Sequence, residues 1–437
     1  MNLSELFNFI KYNQRFKENV GYQSLSFFSK LIVQIFFPVL MILTWGAEIF
    51  GVWLILLTII STIYGINLNV TEVTRLEMTN AFNQKNNNAL EKFYLNGFVA
   101  QIINILIFSF LILLIINFVD FSKYSNENLD YLSIKNCFYL IIVAFYLEGL
   151  TYIYYPIVNY EGYTKNWVNQ NTFYQIYSKV LIVLAFYFNE FYFLGLFLIV
   201  SNLLRLILIF NLHNKKKLKL NFKNFDKIIL KDLFKKSLSY TLEKINYLLK
   251  QNGIILIVAN FFSPTIVTLV STARTLFYYL PINFFDVITH SSVIEFTKIN
   301  LLNKVEEIKI LFNKFFVILL IISLIFFIGS NLIGKEIYEL WIKSNEIKIT
   351  RSLIFLITLD AILIGYLNLL TAPFKGFNNF LFLTKIDFYL TLFSLIIIVS
   401  LSYVFNSLLL IFLLILITNI TLALFLNLRF KNYLKRL

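Results

Sequence analysis

Twelve stretches of roughly 20 apolar residues, nearly free of charge, follow one another along this chain, and a helix of that length crosses a hydrocarbon core about 30 Å thick. Backbone N–H and C=O groups inside lipid must be satisfied within the segment itself, so the stretches are expected to be helices. A basic stretch from His213 to Lys236 falls at the midpoint and leaves six stretches on each side. The chain is 59% hydrophobic with a mean hydropathy of +0.74, which a water-soluble globule could not hide. The expected class is therefore an all-α integral membrane protein with about twelve transmembrane helices, and the two-part layout points to a transporter.

The first six stretches run Ser24–Thr44, Ile49–Val70, Phe93–Phe118, Phe138–Asn159, Val168–Phe188 and Phe191–Leu212. The second six run Leu238–Asn260, Thr265–Thr289, Phe312–Ile333, Ser352–Phe374, Phe388–Val404 and Ser407–Leu428. This divides the chain into an interfacial arm (1–23), a first lobe (24–212), a basic linker (213–237), a second lobe (238–428) and a basic tail (429–437). In the arm, Leu3, Phe7 and Ile10 share one face of a short helix among charged residues, and no cleavable signal peptide is expected before the first span.

The net charge of +14 is a matter of topology rather than of nucleic-acid binding, because the cations sit between the spans. Lys and Arg crowd the loops on one side: Arg75, Lys85 and Lys92, then Lys165, the midpoint stretch, Lys298–Lys314, Lys375, Lys385 and the tail. The opposite connections are poor in cations or offset them with Glu and Asp, as at Asn189–Glu190, Phe261–Pro264 and Phe405–Asn406. Positive loops stay cytoplasmic, so both termini are expected in the cytoplasm. The midpoint lysines admit two readings, a topology anchor lying on anionic lipid or a docking site for a cytoplasmic partner. Cys137 is the single cysteine, and His213 and His290 are the two histidines, so neither an internal disulfide nor a His/Cys metal site is expected. No GxxxxGK[ST] loop is present for ATP hydrolysis by that route.

Ionisable residues inside a span are costly and normally face a bundle interior or a wet cavity. In the seventh span Ser239, Glu243, Asn246, Lys250 and Gly253 form one narrow helical stripe, while Lys244 falls on another side and can snorkel. Arg274 in the eighth span lies at the same depth as Lys250, measured from the turn near Phe262. Two such cations call for an anion or for carboxylates, with Glu243 as the expected carboxylate for Lys250. In the fourth and fifth spans Glu148 and Lys179 fall at similar depth and suggest a buried ion pair, flanked by Tyr152, Tyr155, Asn159, Thr172 and Gln175. Asp286 lies near the cytoplasmic end, and Asp360 is near mid-depth, where a coupling proton or cation could bind. Tyr152, Tyr154, Tyr155, Tyr160, Tyr163 and Trp167 cluster near the cytoplasmic side, as an interfacial aromatic belt or as a platform for sugar rings.

From Phe50 to Asn87 the chain reads FGVWLILLTIISTIYGINLNVTEVTRLEMTNAFNQKN. It resembles the second span and following loop of Wzx-type polysaccharide flippases of the MOP exporter superfamily. The short opening is matched by Phe50, Gly51 and Trp53, and Arg75 follows the span. The family's acidic-Gly pair is here Gly65, Ile66 and Asn67. The segment SLSYTLEKINYLLKQNGIILIVANFFSPTIVTLVSTARTLFYYLP is similar to that family's seventh and eighth spans, with the break at Ser263 and Pro264. The resemblance covers nearly the whole chain as a layout, through individually short motifs. It implies two pseudo-symmetric six-helix lobes around a central cavity in the inner membrane. It also implies flipping of an undecaprenyl-pyrophosphate-linked glycan, without a cofactor, from the cytoplasmic to the exterior leaflet. Membrane lipids, a glycan polymerase and chain-length machinery are the partners it suggests.

Lys250, Arg274, Asn246, Lys179 and Arg75 are then the substrate-binding candidates, and Glu243, Asp360 and Glu148 the ion-coupling candidates, with alternating access by rocking lobes. A multidrug exporter of the same superfamily would share the architecture but favour a carboxylate-centred cavity. A membrane polymerase or ligase would carry a larger exterior loop than Val119–Asn136 or Gly334–Arg351 provides.

Overall fold

The computed structural model describes residues 14–65, 69–125, 129–161, 165–188, 190–214, 220–301, 307–344, 346–376 and 381–436. Helix dominates, and no β-strand occurs among the described residues. The chain forms two compact units, Met1–Thr44 with Leu56–Lys244 and Trp45–Ile55 with Ile245–Leu437.

Unit 1 is built from α1 (Gln14–Trp45), the later turns of α2 (Ala47–Gly65), α3 (Val70–Asn83), α4 (Asn87–Ile115), α5 (Tyr131–Ile153), the short α6 (Tyr155–Asn159), α7 (Lys165–Leu184), α8 (Tyr192–Asn214) and the first half of α9 (Lys227–Phe261). Helix starts are marked in the sequence by caps. Asn86 accepts from Ala89 N ahead of α4, and Asp130 accepts from Leu132 N and Ser133 N ahead of α5. α5 lies along α8, and α8 in turn packs on α7.

Unit 2 holds the remainder of α9, α10 (Pro264–Arg274), a π-helical turn (Thr275–Tyr279), α11 (Leu280–Leu301), α12 (Glu307–Ile342), α13 (Arg351–Gly376), α14 (Leu381–Phe405) and α15 (Leu408–Arg436). α13 is its central helix, packed against α11, α12 and α15 around Phe285, Phe296, Leu369, Leu370 and Phe430. In lipid such packing is held by van der Waals fit rather than by expulsion of water. The first turns of α2 belong here: Thr268 Oγ1 donates to Ala47 O at 2.7 Å. Gly51 lies so close to Pro264 that an added Cβ would fall 2.0 Å from the Pro264 carbonyl oxygen. The two short motifs singled out in the sequence, at Phe50–Trp53 and Ser263–Pro264, therefore touch each other.

Among the described residues, nine helices are long and apolar enough to cross a membrane by length and composition. The fifth, seventh and eighth expected spans also form helices, α7, α9 and α10–α11, but they are more polar or, at Thr275–Tyr279, interrupted. Those three carry Lys179, the Glu243–Lys250 stripe and Arg274. Several boundaries differ from expectation. The loop expected around Arg75 is helical (α3), because Val70, Val73 and Met78 bury one face of it. α9 begins at Lys227 rather than Leu238, so the end of the basic stretch is helix, and its Leu233 packs with Val70, Val73 and Ala100. The arm's Leu3, Phe7 and Ile10 lie outside the described residues.

Candidate functional site

Within unit 2, α9 brings Asn246, Lys250 and Gln251 toward α14, α13 and the π turn. Lys250 Nζ lies 2.6 Å from Asp387 Oδ1, and Asn246 Nδ2 donates to Asp387 Oδ2. Asp387 therefore holds Lys250, where Glu243 was expected to do so. Glu243 is half-buried, two turns back along α9. A carboxylate on the facing helix can meet the ammonium end-on and collect a second hydrogen bond from Asn246. Asp387 falls one residue outside the expected eleventh span, Phe388–Val404, whereas α14 starts at Leu381.

Arg274 is 1% exposed. Its two terminal nitrogens donate to Gln251 O at 2.8 Å and Gln251 Oε1 at 2.7 Å, and the guanidinium lies over the rings of Tyr278 and Tyr279. The π turn begins directly after Arg274, and the widened turn brings both tyrosines against it. Asp360 on α13 accepts from Asn419 Nδ2 at 2.7 Å and is within electrostatic reach of Arg274 and Lys250. Lys250, Tyr278, Asp360, Thr391, Ser394 and Asn419 line a small, partly open pocket. Lys250 and Arg274 thus share a neighbourhood, as their equal depth implied, and the two carboxylates of that neighbourhood balance them. Asp286 is apart from the pocket lining and receives Asn368 Nδ2 at 3.4 Å.

Within unit 1 the expected Glu148–Lys179 pair is not formed. Glu148 faces Arg205 of α8 at 3.7 Å, and Lys179 lies over the Phe37 ring, 4.6 Å from its centroid. The physical reason is the packing of α5 along α8, which puts Arg205 beside Glu148. Arg205 is 2% exposed, donates to Asn171 Oδ1, and is ringed by Tyr152, Trp167 and Tyr174. Lys244, expected to snorkel, is also within electrostatic reach of Glu148. Arg205 Nε, Gln175 Oε1 and Asn202 Oδ1 are buried without a hydrogen-bond partner among the described residues. Arg205 is the one Lys or Arg in α8 and lies within its apolar run, and that isolation is the available signal.

Arg75 lies in α3 with its guanidinium on both oxygens of Glu72, and Glu72 Oε2 also accepts from the Tyr155 hydroxyl at 2.7 Å. Trp167 and Tyr160 of the aromatic cluster are buried, and the rings meet one another edge to face, Tyr155 against Trp167 and Phe82 against Tyr160. That packing makes them core; Tyr163 lies outside the described residues. No cluster of three or more His, Cys, Asp or Glu disposed to hold a metal ion occurs among the described residues.

No protein-family model matches the sequence, and no curated protein matches it. Solved structures do. A multidrug resistance MATE family transporter of the MOP superfamily, in an inward-facing conformation, is similar with a TM-score of 0.73 at 13% identity, over 93% of this chain and 96% of that one. The fold is one that this chain shares with that transporter. The lipid II flippase MurJ in an inward closed conformation matches at a TM-score of 0.70 and 16% identity, over 94% of this chain and 87% of that one. An outward-facing MATE transporter of the same superfamily matches at 0.57 and 14% identity, over 93% and 96%. The shared fold and the apolar helices make this a multi-pass membrane protein.

Proposed function

We propose that the protein is a flippase that moves a glycan linked to undecaprenyl pyrophosphate from the cytoplasmic to the exterior leaflet. The observation that carries this reading is the charge of the polar interior of unit 1, where Glu148 stands against two cations, Arg205 and Lys244. Two cations about Glu148 suit a pyrophosphate, whereas an exporter of cationic drugs would be served by a surplus of carboxylate. The similarity to a structure named as a lipid II flippase supports the same substrate class. Buried groups without a partner among the described residues, such as Gln175 Oε1 and Asn202 Oδ1, suit hydroxyl-rich cargo or water.

Lys250, Arg274, Asn246, Lys179 and Arg75 are retained as substrate-binding candidates in a form the geometry qualifies. Lys250 is shared with Asp387, so an anion that reaches it competes with that carboxylate. Glu148, Glu243 and Asp360 are the ion-coupling candidates, Asp360 lying in the pocket that also contains Lys250. The similarity to a multidrug MATE transporter favours the second reading, drug export on the same fold.

Deletion of the gene, followed by measurement of lipid-linked oligosaccharide and its sidedness, separates them. Complete oligosaccharide trapped on the cytoplasmic face is the expected result. An unchanged pool with increased drug sensitivity would overturn it in favour of export.

A further inference from the structure

The start of α9 and the turn before it carry an unusual surface. Phe222 is 71% exposed and Ile228 80% exposed, with Phe225 also uncovered, in a segment whose Lys223, Lys227, Lys231 and Lys235 are all exposed. Lys227, Lys231 and Lys235 recur every four residues and form one stripe, with Ile228 beside it. Large apolar side chains of this kind are unfavourable in water, and alternation with lysine is the pattern of a helix face seated at a lipid headgroup boundary.

The opposite face is fixed. Asn96 of α4 donates to Asn224 O and accepts from Asp226 N, Asn224 Nδ2 reaches Glu91, and Leu233 is fully buried. Asp226 caps the helix by accepting from Ile228 N and Ile229 N. Asn96 is only three residues into the third expected span, so these bonds hold the exposed face at the level of the cytoplasmic membrane surface. The lysine stripe is therefore a rigid feature at headgroup depth and not a loose charged tether.

We infer that this face is a binding site for an anionic phospholipid, with the lysine stripe on the phosphate and Phe222, Phe225 and Ile228 inserted among the acyl chains. Lys236 is outside the site, because Glu77 and Asp232 already hold it.

The test uses the full chain with Ile228 replaced by benzoylphenylalanine, reconstituted in phosphatidylcholine vesicles containing roughly one-fifth phosphatidylglycerol. Lipids crosslinked on illumination are identified by mass spectrometry, with the same probe at Leu324, exposed on α12, as the bulk-lipid control. Phosphatidylglycerol should be enriched at position 228 by about fivefold or more over the control, the effect expected of about one basic residue near an anionic surface. Enrichment should vanish when Lys227→Gln, Lys231→Gln and Lys235→Gln are combined. Crosslinking in the bulk lipid ratio, or no crosslinked lipid at all, would overturn the site. Capture of an acidic protein in native membranes in place of lipid would overturn it equally.

Discussion

Lys250 and Asp387 are joined across two helices by a 2.6 Å contact, and each side chain is only a fifth to a quarter exposed. Removing one partner strands the other in a low-dielectric setting. Asp387→Asn is expected to cost about 1–3 kcal/mol, below the range for a fully buried pair because of that exposure. Lys250→Met combined with Asp387→Leu should recover most of the loss. Thermal unfolding of the four variants in detergent checks this, and a double mutant less stable than either single one would refute the pairing.

Arg205 makes a different kind of contact, with three aromatic rings around a planar guanidinium. Lysine cannot stack there or reach Asn171 with the same fork, so Arg205→Lys is expected to lose about 2 kcal/mol despite keeping the charge. Glu148→Gln should then be tolerated better in the Arg205→Gln background than alone. A double-mutant cycle on the melting temperature measures the coupling.

Gly51 sits against the carbonyl of Pro264, and backbone yields less readily than a side chain. Gly51→Ala should destabilise the protein by about 1–3 kcal/mol or more. The readout is folded yield by fluorescence-detected size exclusion, with an Ala substitution at Gly329, where a Cβ meets open space, as the control.

Lys236 offers a pH test. Hydrogen bonds that its ammonium donates to Asp232 and then Glu77 raise it above the ordinary lysine value. A raised cation contributes stability that is fully present below the unfolded lysine pKa of about 10.4 and lost as pH rises through the folded value. The difference in melting temperature between wild type and Lys236→Gln should therefore be flat from about pH 6 to 9 and shrink only above about pH 10.4. The pair is solvent-exposed, so the difference should correspond to under about 1 kcal/mol.

Asn419 holds Asp360, and nothing in a single sequence links those positions. If Asp360 takes part in coupling, Asn419→Leu should weaken transport in the same direction as Asp360→Asn while protein level is kept. Vesicle transport measured against an imposed ion gradient decides it; normal gradient dependence in both variants would remove Asp360 from the coupling role.

The helical class and most spans were legible because lipid imposes one local rule on every segment, independent of neighbours. The partners of buried charges were not, because they depend on which helices adjoin. Lys250 and Glu243 share a stripe on one helix, yet the acceptor is Asp387, 137 residues away in the chain. Glu148 and Lys179 were matched by depth, but the α5–α8 contact gave Glu148 to Arg205. Depth can be counted from a turn; rotation about a helix axis and the order of packing cannot.

The seat of Gly51 on Pro264 also sets an order of events during synthesis. The second helix emerges with its opening turns facing a proline that the ribosome adds about 210 residues later, some 10–40 s at ordinary elongation rates. Throughout that interval the glycine surface of Phe50–Trp53 has no mate, and whatever shelters it must let go once Pro264 arrives. A chain ending before Pro264 would leave that surface open.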